Sequence, residues 1–165
     1  MTARVLVAGI GNVFLGDDGF GVAVAQRMLE RGAPAGVRVL DAGIRGFDLA
    51  CALLEGWDAA VLIDAVQRGG PPGTLYVLEI EAEATAPAGP IEAHGLVPHR
   101  VLALVRALGG SPPPLRLVGC EPASVGADDD IAPGLSAPVA AAVEPAVELV
   151  ESLARELGAT AVSCA

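Results

Sequence analysis

Residues 4–19 of the chain read RVLVAGIGNVFLGDDG, an apolar run that leads directly into a glycine-rich loop. A continuous apolar run of this length is typical of a strand that is buried on both faces of a sheet. A glycine loop after such a strand usually presents backbone N–H groups to an anion. This loop instead carries Asp17 and Asp18, whose charges would repel a phosphate and attract a cation. The stretch therefore predicts an α/β fold with a metal or cationic ligand at the edge of its sheet.

Four further apolar runs follow the first, and segments of helical periodicity separate most of them. This alternation predicts an α/β three-layer sandwich, with a mostly parallel, twisted five-stranded sheet flanked by helices. The connection between the third and fourth runs is short and rich in Gly and Pro, so we expect strand 4 to run antiparallel at an edge. The predicted strands are Arg4–Ile10, Val37–Ala42, Ala59–Ala65, Thr74–Ile80 and Leu115–Cys120.

The clearest helix pattern lies near the C-terminus. Apolar residues recur there at helical spacing from Val139 to Leu153, and Ser136 is the predicted N-cap. We expect Gly158 to end this helix and residues 159–165 to fray. Because no repeat or linker divides the sequence, residues 1–165 are predicted to form a single domain.

Composition excludes several classes of partner. The chain has 20 acidic and 10 basic residues, a formal net charge of −10, which disfavours nucleic acid and anionic membranes. No uncharged run reaches the roughly 18 residues of a membrane helix, and the first apolar run is too short for a signal peptide. The three cysteines are far apart and odd in number, which predicts reduced thiols and a cytoplasmic protein. Cys51 and Cys120 fall in apolar segments and are expected to be buried.

Polar residues follow or end several of the predicted strands. Asp41 ends strand 2, Asp64 interrupts the apolar run of strand 3, His94 follows strand 4, and Glu121 follows strand 5. Ligands of open α/β sheets bind beyond the carboxyl ends of the strands, where these side chains would meet. Asp64 must be paired, metal-bound or at the solvent end of its strand, because isolated burial would be too costly. His99, in contrast, is predicted to lie on a helix surface.

Asp18, Asp64 and His94 together form a candidate metal site. Imidazole suits Ni, Zn and Fe, whereas carboxylates alone would favour Mg or Ca. Structural roles are the alternative for these residues: Asp18 could cap the following helix, and Asp64 could cap a turn. Glu121 could add a polar group to the site or cap a loop.

A Rossmann-like nucleotide-binding enzyme is the main alternative. Gly9-x-Gly11 follows a strand, and Asp41 ends the second strand where a ribose-binding acid would lie. The third glycine comes at position 16 rather than 14, so the fingerprint is not met. Asp17 and Asp18 would also stand near the pyrophosphate, and like charges a few ångströms apart cost about 1 kcal/mol even in water. A non-catalytic metal-binding interaction protein is a further alternative.

Taken in order, the motifs of the chain resemble those of the hydrogenase maturation proteases. These endopeptidases process the large subunit of nickel–iron hydrogenases. The matching stretches are Gly9-Ile10-Gly11-Asn12 through Gly16-Asp17-Asp18-Gly19, Asp41-Ala42-Gly43, Leu62-Ile63-Asp64-Ala65, Ala93-His94-Gly95-Leu96 and Val118-Gly119-Cys120-Glu121-Pro122. The chain departs from the family in having Asp18 where some members have glutamate, and Ile44 where threonine is common.

The resemblance implies a hydrolase that removes a C-terminal extension from the large-subunit precursor after nickel insertion. It implies a nickel-dependent endopeptidase, usually classified as aspartic-type, with Asp18, Asp64 and His94 as the metal ligands. The nickel is expected to be carried by the precursor as a readiness signal, and no organic cofactor is expected. One mechanistic hypothesis has the metal polarise the scissile carbonyl and activate water. A second gives the general-base role to Asp41 or Asp17 and uses the metal only for docking.

Overall fold

The computed structural model describes residues 2–81, 97–124 and 131–164. It contains a five-stranded sheet between two layers of helices, which confirms the predicted three-layer fold. Each predicted strand end is confirmed to within one residue. The strands are β1 Val5–Ile10, β2 Val37–Gly43, β3 Ala59–Ala65, β4 Leu75–Ile80 and β5 Leu115–Cys120; the helices are α1 Phe20–Arg31, α2 Gly46–Leu53, α3 Val97–Ala107 and α4 Ala137–Ser163.

The strand order is β2-β1-β3-β5-β4. The pairs β1–β2, β1–β3 and β3–β5 are parallel, and β4 runs antiparallel to β5 at one edge. The predicted orientation of strand 4 is therefore confirmed, because its short connection from β3 leaves no room for a helical crossover. The two central strands β1 and β3 bring their carboxyl ends side by side.

Two apolar cores, one on each face of the sheet, explain the continuous hydrophobic runs. Val5 and Val7 of β1 pack towards α1 and α4, whereas Leu6 and Ala8 pack towards α2 and α3. Every residue of β1 and β3 is buried, because helices cover both faces of these strands. The helix α1 lies very close to the sheet: a Cβ on Gly21 would come within 2.1 Å of the carbonyl oxygen of Ile63.

The predicted end of the last helix is wrong. The helix α4 continues through Gly158 to Ser163, so residues 159–163 are helical rather than frayed. Gly158 lacks the positive φ of a glycine that ends a helix, so the helix continues through it. A Cβ there would lie 3.4 Å from the Cβ of Ala3, an ordinary van der Waals distance.

Of the two cysteines that were expected to be buried, one is buried and the other is exposed. Cys120 is buried in β5 as expected, but Cys51 is exposed on the short helix α2. All three cysteines are free thiols. Across the ranges that the structure describes, no helix is both long enough and apolar enough to span a membrane.

Candidate metal and catalytic site

The loop between β1 and α1 fixes the position of Asp18. Asp17–Gly19 form a single 3-10 turn, and the backbone of Gly11 lies directly against it. Gly11 has φ 138°, and a Cβ there would come within 1.8 Å of the carbonyl oxygen of Asp18. The backbone N–H of Asn12 donates to Asp18 Oδ2 at 2.8 Å. Both the backbone and the carboxylate of Asp18 are therefore held by the loop that follows β1.

Asp64 is the penultimate residue of β3 and is only 3% exposed. Strand alternation places its side chain on the α2–α3 face, together with Ala60 and Leu62. Burial raises the pKa of Asp64 well above its ordinary value of 3.8, and the neighbouring charge of Asp18 raises that pKa further. One hydrogen bond, from the backbone N–H of Ala65 to Oδ1 at 2.8 Å, acts in the opposite direction. Asp64 therefore ionises less readily than an exposed aspartate.

Asp18 and Asp64 line one pocket of about 150 Å³ at the carboxyl edge of the sheet. The loop after β2 contributes Ile44 and Arg45 to its wall. Asp18 and Asp64 thus share one largely apolar pocket, and carboxylate oxygens are common ligands of divalent cations. His94 lies outside the described residues, and within those residues no group of three potential metal ligands occurs.

Asp17 lies away from this pocket, although it is adjacent to Asp18 in sequence. It is 2% exposed and accepts three hydrogen bonds. The backbone N–H of Ser136 donates to Oδ1 at 2.7 Å, and the backbone N–H of Ala123 donates to Oδ2 at 2.8 Å. The hydroxyl of Ser136 also donates to Oδ2 at 2.8 Å. Ser136 occupies the predicted N-cap position of α4, but its hydroxyl binds Asp17 instead of capping the helix.

Asp41 also lies outside the lining of the pocket. Like Val37 and Val39, it points to the α1 face of the sheet, where Gln26 Nε2 donates to Oδ2 at 3.3 Å. Its carbonyl oxygen accepts a hydrogen bond from the Arg45 side chain. Its carboxylate remains near the pocket wall, since a Cβ on Gly43 would lie 3.8 Å from Asp41 Oδ1.

Glu121 braces the β3–β4 loop. It is 5% exposed and accepts hydrogen bonds from the backbone N–H groups of Arg68 at 2.8 Å and Gly69 at 3.2 Å. The Tyr76 hydroxyl donates to it at 2.9 Å. Burial raises the pKa of Glu121, but these hydrogen bonds outweigh burial and the net pKa is lowered. Of its two open roles, the structure supports a loop cap.

Two residues differ from the sequence analysis. Arg45, which lines the pocket, was missed; its position just after β2, at the carboxyl edge of the sheet, was the signal that could have indicated it. His99 was expected on a helix surface, but it is half-buried in the first turn of α3. Its Nδ1 is buried and has no hydrogen-bond partner among the described residues.

The geometry of the first loop does not support nucleotide binding. Its N–H groups are used internally: Gly16 donates to Ala132 at 2.8 Å, Asp18 to Leu15 at 3.2 Å, and Gly19 to Gly16 at 3.1 Å. Few donors of this loop are left to face a phosphate, and Asp18 occupies the pocket that a pyrophosphate would approach.

Comparison with known proteins identifies the class of this fold and site. The family model described as hydrogenase maturation protease matches residues 22–153. The hydrogenase 2 maturation protease of Escherichia coli K12 is 34% identical over 161 residues, covering 96% of this chain and 95% of that protein. The hydrogenase expression/formation protein HupD of Rhodobacter capsulatus is 40% identical over 121 residues, covering 72% of this chain and 57% of that protein.

Solved structures agree with this result. The hydrogenase maturating endopeptidase HybD from E. coli superposes with a TM-score of 0.75 at 32% identity, over 94% of both chains. The [NiFe] hydrogenase maturation protease HybD from Thermococcus kodakarensis has a TM-score of 0.70 at 27% identity, over 92% of this chain and 99% of that one. The chain belongs to the hydrogenase maturation protease family, which confirms the resemblance in its motifs. The nucleotide-binding and non-catalytic alternatives find no support in these matches.

Proposed function

We propose that this protein removes the C-terminal extension of a nickel–iron hydrogenase large-subunit precursor after nickel has been inserted. The observation that carries the proposal is the pairing of Asp18 and Asp64 in one pocket at the carboxyl edge of the sheet. Membership of the protease family supports hydrolysis of a peptide bond as the reaction. The pair of carboxylates supports a reaction that depends on a metal.

The nickel of the precursor is the partner of this pocket. Asp18, Asp64 and His94 bind it jointly with ligands of the precursor, so the enzyme needs no resident metal and no organic cofactor. Without a cation, burial and the charge of Asp18 raise the pKa of Asp64 and so disfavour its ionised form. Nickel binding stabilises the ionised form of both carboxylates, because a carboxylate binds a metal in its deprotonated form. Only a precursor that already carries nickel then docks tightly.

Asp41 is the proposed general base of an aspartic-type mechanism. Between the two candidates, Asp17 is fully engaged with Ala123 and Ser136, whereas Asp41 accepts one side-chain hydrogen bond of 3.3 Å from Gln26. Asp41 also lies beside the pocket wall at Gly43. In the competing mechanism, nickel itself activates the water and polarises the scissile carbonyl. Asp41→Asn distinguishes the two mechanisms. Asparagine has the same shape as aspartate but cannot act as a general base, and the substitution leaves the proposed metal ligands in place.

The general-base role predicts a fall in turnover of roughly 100-fold or more for Asp41→Asn, with binding of the nickel-loaded precursor retained. Single-turnover cleavage followed by intact-mass spectrometry measures the first quantity, and co-sedimentation measures the second. Unimpaired cleavage by the variant would leave the metal-activated mechanism as the explanation.

The decisive experiment mixes the protein with the large-subunit precursor, with and without inserted nickel. We expect a C-terminal mass loss from the nickel-loaded precursor alone. Asp58→Asn is a suitable control for variants of Asp18 and Asp64. Like them, Asp58 accepts a backbone N–H, from Arg4 at 2.7 Å, but it lies at the opposite end of β3. No shortening of the nickel-loaded precursor by the wild-type protein would refute the proposed function.

We also propose the cytoplasm as the compartment of this reaction. The three cysteines are free, and burial raises the pKa of the Cys120 thiol to about 11. A buried thiol with a high pKa is inert towards oxidation, and unpaired cysteines are typical of proteins in a reducing compartment.

A further inference from the structure

We infer that Asp17 is a positioning residue, whose buried carboxylate fixes the turn that presents Asp18 to the pocket. It takes no part in the chemistry itself. The inference rests on the proposed function only in treating Asp18 as a ligand of the precursor's nickel. Its structural half, that Asp17 sets the position of Asp18, stands on contacts alone.

The contacts of Asp17 join three segments that are distant in sequence. The Asp17 carboxylate belongs to the loop after β1, Ala123 follows β5, and Ser136 begins α4. All three hydrogen bonds are 2.7–2.8 Å long, and the carboxylate is 2% exposed. Charge-assisted hydrogen bonds of this length are among the strong ones, so the carboxylate is a firm junction.

The helix α4 strengthens this junction. Asp17 accepts the backbone N–H and the hydroxyl of Ser136, which is the N-cap of a helix of 27 residues. The N-terminus of a helix carries partial positive charge, which stabilises a carboxylate placed there. The Asp17 carboxylate therefore joins the start of α4 to the loop after β1.

Asp17 and Asp18 are joined by a peptide bond, so a shift of Asp17 also moves the backbone of Asp18. Asp17 and Asp18 lie in the same 3-10 turn, and the backbone of Gly11 lies against Asp18 on the other side. Asp18 is thus held between two fixed groups. Metal ligands need placement within about 0.5 Å, so a small displacement of the turn is enough to weaken binding.

Asp17→Asn tests the inference with a side chain of the same shape. The new amide places an NH2 group against an N–H or O–H donor, whichever way it turns, so at least one of the three hydrogen bonds is lost. We expect the affinity of the isolated protein for Ni²⁺ to fall roughly 10- to 100-fold, as for other residues that support a metal ligand. For the nickel-loaded precursor, we expect the rise in KM to exceed the fall in kcat.

A control variant separates positioning from a general loss of stability. Val150→Ala truncates a fully buried side chain of α4, far from the carboxylates in the sequence. At a temperature where both variants are fully folded, Val150→Ala should bind Ni²⁺ with the affinity of the wild type, whereas Asp17→Asn should bind it more weakly. Equal Ni²⁺ affinity in the wild type and Asp17→Asn would overturn the inference.

Amide hydrogen exchange gives a readout that does not depend on nickel. The N–H of Asn12 donates to the Asp18 carboxylate, so its protection from exchange reports the position of that carboxylate. We expect Asp17→Asn to speed exchange at Asn12 and Asp18 at least 10-fold, with little change in β3. Unchanged exchange at both positions would overturn the inference. If Asp17→Asn fails to fold, Ser136→Ala removes one of the three hydrogen bonds and should change the same two amides in the same direction.

The outcomes also distinguish this inference from the proposed function. If the wild-type protein neither binds Ni²⁺ nor shortens the nickel-loaded precursor, the proposed function fails, and the exchange experiment still decides the role of Asp17. If the wild type does both and Asp17→Asn matches it in Ni²⁺ affinity, KM and exchange, the role assigned to Asp17 fails alone.

Discussion

Two regions of the molecule bury carboxylates in opposite ways. Asp17 and Glu121, which are 2% and 5% exposed, each accept three hydrogen bonds from other segments of the chain. Asp64 is 3% exposed and, within the described part of the chain, accepts one hydrogen bond, from the neighbouring Ala65. The first region uses negative charge to join loops. The second keeps a carboxyl group with little compensation, in a pocket that it shares with Asp18.

The pKa shifts follow this difference in donors. Burial raises the pKa of both Asp64 and Glu121, but only Glu121 has enough hydrogen bonds for the net pKa to fall. Similar burial therefore gives opposite signs, because donors stabilise the charged form and desolvation destabilises it. The comparison teaches that a buried carboxylate with few donors marks a candidate functional site, whereas one with many donors marks a structural junction.

Asp64→Asn is expected to have the largest effect. Losing a carboxylate that is proposed to bind nickel should reduce nickel-dependent shortening of the precursor by about 100-fold or more. The melting temperature at neutral pH should be equal to or higher than that of the wild type, because the variant no longer buries a poorly compensated carboxyl group. Cleavage assays and calorimetry on one preparation measure both. A variant that cleaves normally, or one that loses stability and activity together, would contradict the division into two regions.

Glu121→Ala should show the reverse pattern. The truncation leaves the N–H groups of Arg68 and Gly69 and the hydroxyl of Tyr76 without their acceptor, so we expect the melting temperature to fall by several degrees. Ni²⁺ affinity, measured by titration calorimetry below the melting transition, should stay within about two-fold of the wild type. A large loss of affinity would place Glu121 in the site instead of the loop brace.

The pH dependence of stability should have opposite signs in the two regions. The folded-state pKa of Asp64 is raised, so its contribution is fully present below 3.8 and is lost as pH rises through that folded pKa. The folded-state pKa of Glu121 is lowered, so its contribution is present above 4.5 and is lost as pH falls through that folded pKa. Urea unfolding from acid to neutral pH should show Asp64→Asn gaining stability relative to the wild type as pH rises, and Glu121→Gln losing stability relative to the wild type as pH rises. The same sign in both series would contradict the comparison.

Asp58→Asn should have the smallest effect. Its carboxylate is exposed and accepts the backbone N–H of Arg4 at the amino edge of the sheet. An exposed carboxylate contributes little, so we expect the melting temperature to change by about one degree or less, and precursor shortening to remain at the wild-type rate. A marked loss of shortening would mean that the precursor contacts both ends of the sheet.

The sequence was sufficient for most of the fold and for part of the site. Buried parallel strands are continuous apolar runs, so their ends could be read to within a residue, and Asp64 was conspicuous because it interrupts such a run. Gly158 was misread as a helix end, because a glycine ends a helix through a positive φ, and this backbone angle cannot be read from the residue type alone. The exposure of Cys51 likewise depends on which side of a short helix faces the sheet.

The roles of the aspartates needed the structure. Asp17 and Asp18 are the same residue type at adjacent positions, and what separates them is the contact of Asp17 with Ser136, 119 residues away. Asp41 was expected at the edge of the sheet, and it lies there. Its direction towards Gln26, on the face opposite Asp64, follows from strand alternation. The positions of Asp18 and Asp64 in one pocket agree with the predicted convergence, while their nickel-binding role remains a prediction.

The close approach of α1 to the sheet has a consequence for genetic screens. A side chain on Gly21 would strike the backbone oxygens of Ile63 and Ile10, at 2.1 Å and 2.3 Å, so every substitution there should be rejected. In a saturation library selected for hydrogenase activity, Gly21 would be as intolerant as Asp64, although it performs no chemistry. A parallel selection for protein abundance would separate them, since an Asp64 variant accumulates as folded protein and a Gly21 variant does not.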